Sequence, residues 1–293
     1  MYELIQVSEK CYYIQCPAKI GIYKLNGNDV YLIDSGSDKD AGRKVRQILD
    51  KNGWNLKAIF NTHSNADHIG GNKYLQSQTG CKIYAPAIEC DFTRHTILEP
   101  AFLYGGYPYK ELKHKFLMAQ ESDADYLTED CLPSGLEIIR LEGHFFDMIG
   151  FKADDGTVFL ADSLSSKTTL DKYGIGFIYD IQAYIDTLET VKGMDAKVFI
   201  PSHADVTDNI TELAQYNIDA VIKSADTLLE ICNNPCSFEN ILQKVFEIYA
   251  LKMTHEQYVL IGSTVRSYLS YLKDKGAVDI KFENNTMLWE KVK

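Results

Sequence analysis

Four of the chain's seven histidines stand in turn-like segments that directly follow apolar runs. His63 and His68 lie in NTHSNADHIGG (61–71), His144 in LEGHFFD and His203 in FIPSHAD, while Asp162 closes VFLADSL. Neutral imidazoles and ionised carboxylates are the usual ligands of zinc, iron and manganese. Taken singly, each residue has an ordinary reading: a histidine after a strand caps or hydrogen-bonds, and Asp67 caps the helix that follows. Their recurrence on one kind of structural position favours a metal site instead. Loops at strand ends are where a rigid sheet brings distant side chains to one point.

The elements that must hold these loops are readable from periodicity. Cys11–Gln15, Ile20–Leu25 and Val30–Ile33 are short Tyr/Val/Ile-rich runs bounded by turn residues, with NGND (26–29) as a hairpin turn. Apolar spacing predicts a helix over Asp40–Asn52, a strand over Leu56–Asn61, a helix over Lys73–Gln78 and a strand in CKIYAP (81–86). Residues 87–130 lack strand alternation and read as a helical, aromatic insertion around YGGYPY (104–109). Strands return at Leu136–Leu141, Ile149–Ala153 and Val158–Ala161, followed by a helix over Ile181–Met194 and a strand over Ala196–Pro201. This order suits two packed sheets flanked by helices, an α+β architecture. From about Asp205 the text is mostly helical: Leu213–Cys232, Phe238–Ala250 and His255–Lys275, then a hairpin turning at ENNT. The expected division is therefore residues 1–205 and 206–293.

Composition narrows the function classes. The 293 residues are 45% hydrophobic and 24% charged, with a net charge of −11. That acidity disfavours non-specific binding to nucleic acid or an anionic membrane and otherwise serves solubility; a small-molecule substrate is the expected partner. No apolar run approaches the roughly 18–20 residues of a membrane helix, so no membrane association is expected. The start, MYELIQVSEKCYYIQ, has no secretory pattern, and the seven cysteines are odd in number and irregularly spaced. Reduced thiols and a cytoplasmic location are expected.

THSNADHIGG, EGHFFDMIGF, LADSLSS and IPSHAD, in that order, resemble the metallo-β-lactamase superfamily, and LIDSG (32–36) resembles its early strand with a supporting Asp34. The resemblance implies an αββα sandwich with two metal positions at one edge, holding one or two zinc ions, with manganese or iron as alternatives. Carried over residue by residue, the first position uses His63, residue 65 and His144. The second uses Asp67, His68 and His203, with Asp162 bridging. A metal-activated water would then attack a carbonyl or phosphorus centre.

Position 65 departs from the pattern: asparagine stands where the family carries histidine. An amide oxygen is a neutral, weaker ligand suited to harder ions, so the second position is expected to be the tighter one for zinc. In a one-metal site Asp67 becomes the candidate general base. His63, His144 and Asp162 also form a two-His, one-carboxylate set, which suits non-haem iron; some sulfur dioxygenases of the superfamily bind iron through the corresponding residues.

The C-terminal part resembles, less specifically, the winged-helix tail of a superfamily subgroup similar to β-lactamase-like protein 2. Residues 220–293 carry nine basic and nine acidic side chains, which favours packing or dimerisation over DNA binding. Tyr104 and Tyr107 of the insertion read either as a substrate lid or as a homodimer contact, and Tyr173 as a further substrate-binding residue. The leading functional expectation is a metal-dependent hydrolase of a thioester, ester or lactone. The alternatives are a nucleic-acid phosphodiesterase, an iron-dependent sulfur dioxygenase, and a metal-binding pseudoenzyme.

Overall fold

The short apolar runs near the N-terminus pair as their alternation predicts. The computed structural model describes residues 2–25 and 27–292, so Asn26 of the NGND turn lies outside the described residues. A seven-stranded sheet runs in chain order through β1 (Glu3–Gln6), β2 (Cys11–Gln15), β3 (Ile20–Lys24), β4 (Asp29–Ile33), β5 (Asn55–Phe60), β6 (Lys82–Ala85) and β7 (Asp125–Tyr126). The first four strands form an antiparallel meander, and the pairs from β4 to β7 are parallel. Parallel neighbours require long crossovers. Helices supply them: α1 (Lys39–Lys51) between β4 and β5, then α2 (Ala66–Ile69) and α3 (Asn72–Thr79) before β6.

The insertion adds α4 (Ala87–Arg94) and α5 (Leu98–Tyr104) before reaching β7. That strand was not expected. Its two residues are too few to leave an alternation in the sequence, and its place is set by pairing with β6.

The second sheet contains β8 (Leu136–Arg140), β9 (Ile149–Ala153), β10 (Thr157–Ser165) and β11 (Val198–His203), ordered β11-β10-β9-β8. Its parallel β10–β11 pair is bridged by α6 (Lys167–Tyr173) and α7 (Ile181–Lys192). The chain ends with α8 (Thr211–Ile231), β12 (Cys236–Ser237), α9 (Phe238–Ile248), α10 (His255–Asp274) and the ribbon β13 (Val278–Glu283) and β14 (Thr286–Lys291). Asn284 and Asn285 adopt φ of +49° and +59°, the left-handed pair that a two-residue hairpin requires.

Three apolar layers hold these parts together. Val45, Leu49 and Leu75 cover the outer face of the first sheet. Ile33, Phe60, Phe151, Phe159 and Ile200 fill the space between the sheets. Leu160, Leu188, Val221, Val245 and Leu269 cover the outer face of the second. The result is the αββα order of layers, each buried Leu or Phe contributing about 1.5–3 kcal/mol. The last of these clusters continues from β10 through α7 and α8 into α9 and α10, so the helical C-terminal part shares its core with the second sheet. No helix among the described residues is long and apolar enough to cross a membrane. All seven cysteines are free thiols, and all but Cys131 are buried.

Candidate metal centre

The ends of β4 and β5 lie side by side, and the loops that leave them build half of the centre. Asp34 follows β4 in the left-handed region, at φ +65°, and its N–H donates to the Phe60 carbonyl at 3.0 Å. Its buried carboxylate accepts the Thr62 N–H and the Thr62 hydroxyl, each at 2.8 Å, and lies 2.8 Å from His68 Nδ1. The hydroxyl has one hydrogen, given to the carboxylate, so at 2.9 Å it accepts from His63 Nδ1. Both imidazoles are thereby held with Nε2 facing the same space. Fixing the tautomer through the remote ring nitrogen is the usual way a protein prepares a histidine ligand.

The paired glycines of HIGG have a steric cause. A Cβ at Gly70 would stand 2.3 Å from the Ser37 carbonyl, and one at Gly71 would stand 2.3 Å from the Ser35 oxygen. Only glycine lets this turn pack against the 35–38 loop, where the Ser35 N–H donates to the His68 carbonyl at 2.8 Å.

The other half comes from the second sheet. Ala161 takes φ +49° where the β10–β11 register shifts, and this irregularity immediately precedes Asp162. Bulges commonly re-aim a side chain in this way. His203 ends β11, and His144 sits in the loop between β8 and β9. That loop is tied to the first half by Glu89 of α4, which is fully buried. Its carboxyl accepts from Ser64 N and Oγ, at 2.9 and 2.6 Å, and from Asp147 N at 3.1 Å. Burial pushes the Glu89 carboxyl up to about 8, against the pull of its Ser64 hydrogen bonds.

Two ligand-like groups result: His63, His144 and Asp162, and Asp67, His68 and His203, with the donor atoms in each within 4.8 Å of one another. Asp162 faces both. Its Oδ1 is 3.1 Å from His68 Nε2, and its Oδ2 is 3.1 Å from His203 Nε2 and 3.6 Å from His144 Nε2. Asp67 Oδ2 lies 3.3 Å from His203 Nε2 and 3.8 Å from His68 Nε2. His63 Nε2, His68 Nε2 and Asp162 Oδ1 are buried yet make no hydrogen bond. An unpaired buried polar atom costs about 1–3 kcal/mol, and three aimed into one space fit a cation that would satisfy them all.

The protonation pattern carries a prediction. Burial holds His63 well below its ordinary range, so it stays neutral. Burial also opposes charge on His68, but the carboxylates of Asp162, Asp67 and Asp34 outweigh it and hold the ring well above the usual value. His203 is raised to about 10, its desolvation outweighed by Asp162 and Asp67. Below these raised values both rings keep their protons, whereas ligation needs the neutral ring. Metal uptake at pH 7 is therefore expected to release about two protons per chain, and affinity to rise as pH climbs toward 10. Calorimetric titration with zinc in two buffers of different ionisation enthalpy measures this; equal heats in both would contradict it.

The remaining candidate residues occupy different places. Asn65 lies at the rim of the first group, its Oδ1 3.2 Å from His144 Nε2 and its Nδ2 donating to Glu99 Oε1 at 2.9 Å. Tyr104 and Tyr107 lie out on the insertion: Tyr107 is 80% exposed, and Tyr104 packs edge-on against Tyr109. Neither lines the cavity beside the two His/Asp groups. Tyr173 lines a cleft of about 140 Å³ that shares Ser165, Ile175 and Phe177 with that cavity. The cavity itself measures about 60 Å³. It opens on His144, Asp162 and His203, and its far walls come from Phe177, from Tyr184 of α7, from Val221 of α8 and from Tyr268 of α10. Sequence reading missed Glu89, Glu99 and Tyr184. Each is a single residue in a helical segment, and nothing in the local pattern distinguishes it from a solvated or core residue.

A two-sheet sandwich with paired His/Asp ligand sets at one edge defines a class of metal-binding folds. The chain belongs to the metallo-beta-lactamase superfamily, whose family model matches residues 13–203. Among solved structures it is similar over its whole length to a beta-lactamase domain protein from Burkholderia ambifaria, with a TM-score of 0.71, 14% identity, and coverage of 99% of this chain and 94% of that one. A metallo-beta-lactamase family protein from Thermus thermophilus gives a TM-score of 0.69 at 14% identity, covering 100% and 98%. At such identities the likeness concerns the fold. Among curated proteins, a hydroxyacylglutathione hydrolase of Methylococcus capsulatus is 39% identical over 70 residues, covering 22% of this chain and 27% of the relative. One from Rhodopseudomonas palustris (strain HaA2) is 30% identical over 124 residues, covering 40% and 38%. The matched segments thus span well under half the length of these relatives.

Proposed function

We propose that the protein is a metal-dependent hydrolase of small thioesters, esters or lactones. The observation that carries this reading is the pair of ligand groups sharing Asp162 and opening directly on the cavity beside it. A divalent ion held there supplies Lewis-acid polarisation of a carbonyl oxygen and lowers the pKa of a bound water. The chain's own residues do the rest. His63, Asn65 and His144 hold the first position; Asp67, His68 and His203 hold the second, with Asp162 between them. Where only one ion is bound and Asp67 is not a tight ligand, Asp67 is the candidate proton acceptor, its side chain 45% exposed at the open face of the site. Burial alone would raise it, but His68 and His203 outweigh that and hold the carboxylate ionised at neutral pH.

The cavity favours a short acyl group, because its roughly 60 Å³ lies between Leu164, Phe177 and Val221. Wall residues Val221 and Tyr268 belong to residues 206–293, which we read as a winged-helix-like unit that completes the pocket. The segmental likeness to hydroxyacylglutathione hydrolases makes thioesters the first substrate class to test. Zinc-reconstituted protein is expected to hydrolyse short-chain acyl and hydroxyacyl thioesters, and chelator treatment to abolish turnover reversibly. Full metal loading with no turnover on thioester, ester or lactone panels would leave a metal-binding pseudoenzyme.

A second reading rests on the grouping of His63, His144 and Asp162 as a two-His, one-carboxylate set, which suits iron. Iron in freshly purified protein, with oxygen consumption on a persulfide, would favour it.

A further inference from the structure

Asn65 is the weak point of the first metal position, and its surroundings are specific. It caps α2 without a side-chain capping bond, so its amide is not used to start the helix. Instead the amide lies between His144 and Glu99. Nδ2 donates to Glu99 Oε1 at 2.9 Å, and Oδ1 faces His144 Nε2 at 3.2 Å. Two donors about 2.1 Å from one tetrahedral ion stand roughly 3.4 Å apart, so the Oδ1 to His144 separation is that of neighbouring ligands. Glu99 comes from the first turn of α5, in the insertion, and is only 5% exposed although it carries a carboxyl group. Its contact with Asn65 spans 34 positions in the chain, and burial pushes its carboxyl well above the usual carboxylate range, the Asn65 hydrogen bond pulling the other way.

We propose that Glu99 is a positioning residue that turns the Asn65 amide so that its oxygen, and not its nitrogen, faces the first metal position. An amide ligates through oxygen only, and its two ends are nearly equal in shape. Without an acceptor behind Nδ2 the group is free to rotate and present N–H donors to a cation. The insertion thus supplies, through Glu99, the orientation that makes asparagine serviceable where the family carries histidine. The inference rests on the two-position reading of the centre.

The test is metal binding, read independently of turnover. Metal-free protein is titrated with zinc against a chromophoric chelator to give the number of sites and both affinities. The wild-type chain is expected to bind two ions, one more weakly. Glu99→Leu is expected to weaken only the weaker site, by about 10- to 100-fold. In an Asn65→Ala background the same change is expected to have no further effect, because the route through the amide is already gone. This cycle separates positioning from general destabilisation, and circular dichroism checks that each variant folds. If Glu99→Leu folds and leaves both affinities unchanged, or weakens the site equally in the Asn65→Ala background, the proposal is overturned. It also fails if the wild-type chain binds a single ion at saturation. That outcome is distinct from failure of the hydrolase reading, which turnover on the thioester panel decides.

Discussion

Replacement of Asp162 by asparagine is expected to lower kcat/KM on a hydrolysable thioester by about three orders of magnitude and to deplete metal from both positions. Asp162 faces both His/Asp groups, with Oδ1 toward His68 and Oδ2 between His144 and His203. The amide keeps the shape but loses the charge, and it turns N–H donors toward a cation from one side. Metal ions supply several kcal/mol of transition-state stabilisation; losing about 4 kcal/mol corresponds to roughly a thousandfold in rate. Burial opposes ionisation of Asp162, but His203 and His68 outweigh it and hold the group well below the usual carboxylate range. An asparagine gains no charge at any assay pH, so the expected defect does not recover when pH is raised to 9. Metal content by mass spectrometry and steady-state kinetics test this together. Unchanged stoichiometry with a rate within tenfold of wild type would remove Asp162 from its bridging role.

The second large effect is expected at Asp34, which faces no metal position itself but holds the His68 ring and Thr62. Its side chain is 3% exposed and accepts from Thr62 N, Thr62 Oγ1 and the His68 ring. Asp34→Ala leaves these partners without an acceptor in the interior. At about 1–3 kcal/mol for each buried donor left unpaired, a loss of roughly 3–5 kcal/mol in folding stability is expected. The lost orientation of His63 and His68 should also weaken metal binding by about 10- to 100-fold. Chemical denaturation of the metal-free chain isolates the first effect, and chelator competition on the folded variant measures the second. A variant as stable as wild type that binds zinc normally would show that the loop holds itself without this carboxylate.

The six His and Asp residues that the fold brings together were readable as candidates because their motifs follow apolar runs and keep their order along the chain. The αββα order was readable for a related reason. Strand alternation and helix periodicity are local, and two sheets with one apolar face each have few ways to bury it. The ends of α1 and α8 moved by one or two residues, because fraying ends carry no pattern of their own, while β10 runs four residues beyond the expected Ala161, through the register shift at Ala161. The insertion, open to reading as a lid or as a dimer contact, was the least transparent segment. Its exposed aromatics drew attention to Tyr104 and Tyr107, while its buried Glu99 resembled any acidic residue at a helix start.

The sequence by itself determined which side chains are available for metal chemistry, that Asn65 breaks the usual set, and that two sheets carry the loops. Those properties depend on residue type and short-range spacing, which the chain states directly. Only the tertiary structure decided how Asn65 is oriented, that Glu89 ties the two halves of the centre, and that α8 and α10 close the cavity beside Asp162. Each of these depends on contacts between residues dozens of positions apart. A buried carboxyl or a cavity wall exists only once packing has chosen its neighbours.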